Sequence, residues 1–240
     1  MSVNWLSLIT TIVTLIFAAF VLRRYARRRG THLLVWGIGL IMYAIGTFAE
    51  FYLSLQWSAL WLRLWYICGA LLTAAWLGQG TVYLLVRKPP WLANALMAIL
   101  AAVSVLAVVW TFATPLDAGT FSPAVPISEQ YRAIFPPGGV RYLAIPLNIY
   151  GTITLVGGAI YSAWLFWRKR VLPNRVIGNI LIAVGALAPA LGGTFTRLGN
   201  PQFLYVSELI GAVVMFIGFL TVTSTRATEP GIAQVSAVTR

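Results

Sequence analysis

Seven stretches of this chain, at about 3–22, 31–54, 58–86, 91–113, 142–167, 176–193 and 202–224, are apolar and nearly free of charge. Each is long enough to cross the hydrocarbon core of a bilayer, which takes roughly 20 helical residues. A backbone amide in lipid has no water to bond, so each run must satisfy its own hydrogen bonds as a helix. The runs lack the alternating pattern of outer-membrane barrel strands. The expected fold is an all-α membrane protein: a seven-transmembrane-helix bundle over 1–224 with a short polar tail at 225–240. Composition excludes soluble classes. Only 9% of the 240 residues are charged and 60% are hydrophobic, whereas a soluble domain carries about 25% charged residues.

The net charge of +12 sits mostly in the segments between spans and in the tail. Arg23–Arg29, Arg87 with Lys88, Arg168–Arg175, Arg226 and Arg240 fall on one side. Arg63, Arg132, Arg141 and Arg197 fall on the other. Basic loops stay in the cytoplasm, which predicts an amino terminus outside and a carboxyl terminus inside. The first span has its arginines after it, the reverse of a cleaved signal peptide, so it is read as retained. Trp5, Trp57, Trp61 and Trp110 would mark the outer interface, and Trp91, Trp164 and Trp167 the inner one. This layout suits a bacterial cytoplasmic membrane, with lipid and no nucleic acid as partner.

Several chemistries lack their residues. A retinal Schiff base needs a lysine within the bundle, and the lysines are Lys88 and Lys169, both at inner ends of spans. One histidine, His32, and one cysteine, Cys68, supply neither a catalytic zinc set nor a bis-histidine haem nor a dithiol pair. No cofactor and no enzymatic activity are expected.

Buried polar residues are costly in a membrane and point to function. His32, Trp36, Gly39, Tyr43, Gly46 and Glu50 share one face of the second span at steps of three and four. Its other faces are mostly aliphatic, which turns this stripe inward; helix packing through the glycines would produce the same stripe. Glu50 and Arg63 lie at similar depth near the outer ends of spans two and three and are expected to meet as an ion pair, structural or functional. Glu208, in the seventh span, has no partner imposed by local geometry; Arg197 and Arg63 are its nearest candidate cations. Ser7, Thr11 and Thr14 on span one, with Asn148 and Thr152 on span five, would complete a polar chamber open outward. Trp65, Trp76 and Gln79 share a face of span three, which lines either an aromatic pocket or the lipid. Pro189 and Pro146 would bend spans six and five and widen the outer cavity.

The outer segment at 114–141 holds Pro115, Pro123, Pro126, Pro136, Pro137 and Gly138-Gly139. It reads as a turn-rich cap without a helix, either a lid or a plain linker. A 3+1+3 internal repeat is suggested by two echoes. Arg23–Arg29 with Gly46-Thr47-Phe48 matches Arg168–Arg175 with Gly193-Thr194-Phe195, and the spacing of Tyr66 to Arg87 matches that of Tyr205 to Arg226.

Between Arg23 and about Trp110 the chain has an arginine-rich first inner loop, a second span ending in Glu50 and Leu53, Trp61-x-Arg63-x-x-Tyr66, then Trp76 and Tyr83. This pattern resembles the seven-transmembrane sensor modules of bacterial histidine kinases. The resemblance implies an outward-facing sensory domain. The 225–240 tail is too short for a kinase, so output would pass to a membrane or cytoplasmic protein partner. The expected function is a receptor-like protein that binds a small ligand at Glu50, Arg63 and Glu208, with Asn148, Tyr43, Trp65, Trp76 and Gln79 shaping the pocket. The alternatives are a SWEET-like 3+1+3 small-solute transporter, whose single Pro201-Gln202 pair is not repeated, and an accessory subunit of a larger membrane complex.

Overall fold

The computed structural model of the chain describes residues 4–86, 88–170, 172–197 and 202–224. Expectations for Arg87, Pro201, Arg226, Arg240 and the 225–240 tail, and for the side chains of Arg197, Gln202 and Gly193-Thr194-Phe195, lie outside the described residues. The helices are α1 (Trp5–Arg28), α2 (Thr31–Leu53), α3 (Ala59–Leu85), α4 (Pro90–Ala113), a short α5 (Ile127–Ile134), α6 (Gly139–Arg168), α7 (Pro173–Arg197) and α8 (Gln202–Ser224). All except α5 are long and apolar enough to cross a membrane, the make-up of a multi-pass integral membrane protein.

Six of the long helices close a ring: α1 packs on α2 and α8, α2 on α3, α3 on α6, α6 on α7, and α7 on α8. Helix α4 lies outside the ring against α3 and the start of α6, and Trp91, Ile99, Val105 and Val109 on its outer face are exposed. Such a face suits lipid, which is as apolar as these side chains. Because lipid gives no hydrophobic force between helices, contact depends on close packing. The α7–α8 pair shows this: a Cβ built on Gly185 would lie 2.7 Å from the Gly211 carbonyl oxygen.

Helix α1 runs past its apolar stretch to Arg28 and ends at Arg29 in the left-handed region. Arginine is a good helix former, so the helix outlasts the hydrophobic run. The 114–141 segment is not purely turns, contrary to expectation. Pro126 immediately precedes α5, where a missing N–H costs nothing, and Glu129 sits in the first turn. The prolines flank this helix instead of interrupting it. Helix α7 continues through Pro189 to Arg197. Pro146 is the third residue of the α-helical part of α6, which begins at Ala144, close to the end where proline is tolerated.

Two π-helical stretches, Trp65–Leu72 in α3 and Ile153–Gly157 in α6, were not foreshadowed by periodicity. In the first, the Thr73 hydroxyl donates to the Cys68 carbonyl five residues back. Widened turns of this kind are concentrated at functional sites.

Candidate functional site

The ring encloses a cavity of about 800 Å³ that descends from the α5 end into the bundle. Tyr43, Gly46, Thr47 and Glu50 of α2 line it, with Trp65, Tyr66, Gly69 and Ala70 of the α3 π stretch. Helix α6 adds Asn148 and Thr152, α7 Pro189 and Ala190, and α8 Glu208 and Met215. Leu77, Leu155 and Met215 form its floor and belong to a packed apolar cluster with Phe17, Leu40 and Phe219. Arg132, Arg141, Glu129, Tyr131 and Tyr142 stand at the mouth.

Glu50 is the node of the site. It is 4% exposed, and its Oε2 accepts the Ser7 hydroxyl of α1 at 2.9 Å while Oε1 accepts the Trp65 indole N–H of α3 at 3.0 Å. One side chain thus ties three helices. Glu208 of α8 faces the same cavity. The Glu208 Oε2 is buried without a hydrogen-bond partner. Nearby, the Tyr43 hydroxyl donates to the Glu208 backbone carbonyl at 3.0 Å. Thr11 and Thr47 join α1 to α2 at 2.9 Å. The stripe on α2 therefore faces inward as expected: Gly39, Tyr43, Gly46 and Glu50 are buried, while Trp36 is half-buried and donates its indole N–H to the Leu77 carbonyl at 3.0 Å.

Of the expected site residues, the structure brings Tyr43, Glu50, Trp65, Asn148 and Glu208 to the cavity and leaves Arg63, Trp76 and Gln79 away from it. Arg63 does not pair with Glu50. Its Nε and Nη2 donate to the Thr111 and Thr114 carbonyls at 3.2 and 3.1 Å, and its guanidinium lies 5.6 Å from the Phe112 ring centre. These are unpaired carbonyls at the end of α4, the negative pole of a helix, which a cation satisfies well. Trp76 donates to the Ser104 hydroxyl of α4 at 3.1 Å. The Gln79 amide donates to the Ala93 carbonyl at 2.8 Å and accepts from the Tyr150 hydroxyl. All three fasten neighbouring helices. Asn148, at the rim, donates to the Ala70 carbonyl in the π stretch at 2.8 Å and so holds α6 against α3.

Sequence reasoning missed the mouth. The Tyr131 ring of α5 lies 5.5 Å from Trp65 and 6.0 Å from Tyr66, and the Arg141 guanidinium stacks on it at 5.8 Å. Arg132 Nε donates to the Tyr131 hydroxyl at 3.2 Å. The signal available was the Ile127, Gln130, Ile134 spacing, which turns one face of a short helix onto the bundle; all three are buried. The outer segment thus covers the cavity instead of merely joining α4 to α6. Gln130 holds it in shape, accepting the Ser122 N–H at 2.8 Å and donating to the Ser122 and Val125 carbonyls at 2.8 and 2.6 Å. Gln130→Ala leaves these groups without partners, at a cost of about 1–3 kcal/mol. Amide exchange across 122–134 should speed up at least tenfold while α7 and α8 stay protected; unchanged exchange would refute this.

Among the described residues no three His, Cys, Asp or Glu side chains gather as metal ligands. At the opposite, basic end, Arg168 and Arg175 stack on Trp164 and Phe166 at 5.4 and 5.2 Å, the pairing of cation and ring found at headgroup depth. No protein family, curated protein or solved structure matches this chain.

Proposed function

We propose that this protein is a receptor-like component of a bacterial cytoplasmic membrane that binds a small ligand in the cavity beneath α5. In this reading the α5 end and the amino terminus face outward, and the basic end faces the cytoplasm, as the arginine distribution favours. The protein catalyses no reaction; ligand occupancy is passed to a partner protein at the basic end.

The observation that carries this reading is the convergence of Glu50, Glu208, Tyr43 and Trp65 on one cavity whose floor is packed shut by apolar side chains. A cavity with convergent polar groups and an apolar body is the usual form of a small-molecule site. Native mass spectra of the protein released in mild detergent should show a small-molecule occupant. That mass should vanish in Glu208→Ala and persist in Trp76→Phe, which lies outside the cavity. A spectrum of bare protein, or an occupant indifferent to Glu208, contradicts the proposal.

A transporter of 3+1+3 plan is the second reading, favoured by the position of α4 outside the ring, where a connector between two three-helix sets would lie. Solute uptake into proteoliposomes that Glu208→Gln abolishes would select it.

A further inference from the structure

Glu50 of α2 and Glu208 of α8 both line the cavity, and the Glu208 Oε2 is buried without a hydrogen-bond partner. Two carboxyl groups facing one buried site repel each other when both are ionised, so without a cation the pair holds a proton. Among the described residues no cation is bonded to either carboxyl group. Arg63 is engaged at the end of α4. At the mouth, Arg132 and Arg141 are held on Tyr131, with Glu129 beside them. The facing groups from the other elements are neutral hydrogen-bonders: Ser7 from α1, Trp65 from α3, Asn148 and Thr152 from α6, and Tyr43 from α2. Helix α7 presents Ala186, Pro189 and Ala190. Among the described residues nothing but a proton supplies a counter-charge to the pair.

Three acceptors converge on this spot. The Glu208 Oε2 has no partner. The Glu50 carboxylate is held in place by Ser7 and Trp65. Tyr43 spends its proton on the Glu208 carbonyl, which leaves its lone pairs free. A protonated amine carries N–H donors to match, and the faces of Trp65 and Tyr66 suit a cation with an apolar body.

We propose that the ligand of this cavity is a small organic ammonium with an aromatic or aliphatic body, and that its nitrogen replaces the proton held by Glu50 and Glu208. The exchange balances: a monoanionic pair plus a monocation gives two carboxylates holding that cation, with one proton released to water. This inference rests on the ligand-binding reading of the cavity and specifies the class of ligand.

The test is calorimetry on the full chain in lipid nanodiscs, in two buffers of different ionisation enthalpy, with phenethylamine, phenethyl alcohol and hydrocinnamate as probes. Phenethylamine should bind with release of one proton, and its affinity should rise about tenfold per pH unit while the pair still holds its proton. The alcohol and the acid should bind about tenfold more weakly or not at all. Glu208→Gln should remove the proton release and weaken amine binding about tenfold; an unfolding temperature equal to the parent's would show that the fold is intact. Amine binding without proton release, equal binding of the alcohol, tighter binding of hydrocinnamate, or no amine binding at millimolar concentration each overturns the inference. An anionic or neutral occupant in native mass spectra would overturn it too while leaving the binding cavity standing. Absence of both occupant and probe binding would remove both proposals.

Discussion

Gly151→Leu will fail to give a stable bundle, and Gly151→Ala will unfold well below the parent protein. Gly151 lies where α6 crosses α3. A Cβ built there would stand 2.3 Å from the Ala74 carbonyl carbon and 2.5 Å from its oxygen. Those atoms are backbone, so no rotamer change can make room; the helices must separate. Across this contact Ala74 and Thr152 line the cavity, and separation would also pull Asn148 off the Ala70 carbonyl. Overpacking a well-packed site costs about 1–3 kcal/mol, and a backbone clash belongs at the upper end. At about 2–4 °C per kcal/mol for a chain of this size, Gly151→Ala should lower the unfolding temperature in detergent by about 6–12 °C. Gly157→Ala is the matched control on the same helix, because nothing lies within 4 Å of its built Cβ; it should unfold with the parent. Equal unfolding of Gly151→Ala and the parent would show that the α3–α6 crossing is looser than described.

The spans were legible because a bilayer leaves few options: a long apolar run must become a helix, and seven such runs become seven helices. The inward face of α2 was legible for a related reason. Tyr43, Gly46 and Glu50 repeat at the α-helical period, and α2 is α-helical throughout. On α3 the same reasoning fails. The π stretch Trp65–Leu72 holds an extra residue per turn, which rotates the remainder of the helix by about 100°, one residue's share of an α-turn. An α-helical projection therefore groups Trp65 with Trp76 and Gln79. In the structure Trp65 faces Glu50, while Trp76 and Gln79 face α4. The register shift has no signature in hydrophobic period. Arg63 failed for a different reason. Proximity along the chain suggested Glu50 as its partner, whereas helix-end carbonyls about fifty residues away claimed it. Glu208 could be singled out as a lone buried charge, but its place on the same cavity as Glu50 depends on α8 closing the ring against α1, which periodicity does not encode.

The two acids of the pair should respond to substitution in opposite ways. Glu50→Ala removes the acceptor of the Trp65 indole N–H and of the Ser7 hydroxyl, leaving donors on α3 and α1 unpaired in a buried place. At about 1–3 kcal/mol for each orphaned group, the loss should approach 3–5 kcal/mol. That would lower the unfolding temperature by about 10 °C or more and free the start of α1, where the Asn4 N–H also bonds Ser54 at 3.1 Å. Glu208→Gln should leave stability within about 1 kcal/mol of the parent, because the Glu208 Oε2 makes no hydrogen bond that the substitution would break. Paired unfolding curves of the two variants decide the matter. If Glu50→Ala is as stable as the parent, Glu50 is not the tie between α1, α2 and α3. If Glu208→Gln unfolds as readily as Glu50→Ala, the pair serves the architecture first. Glu208 would then hold the bundle closed, and the loss of any ligand in that variant would report the loss of the ring that encloses the cavity.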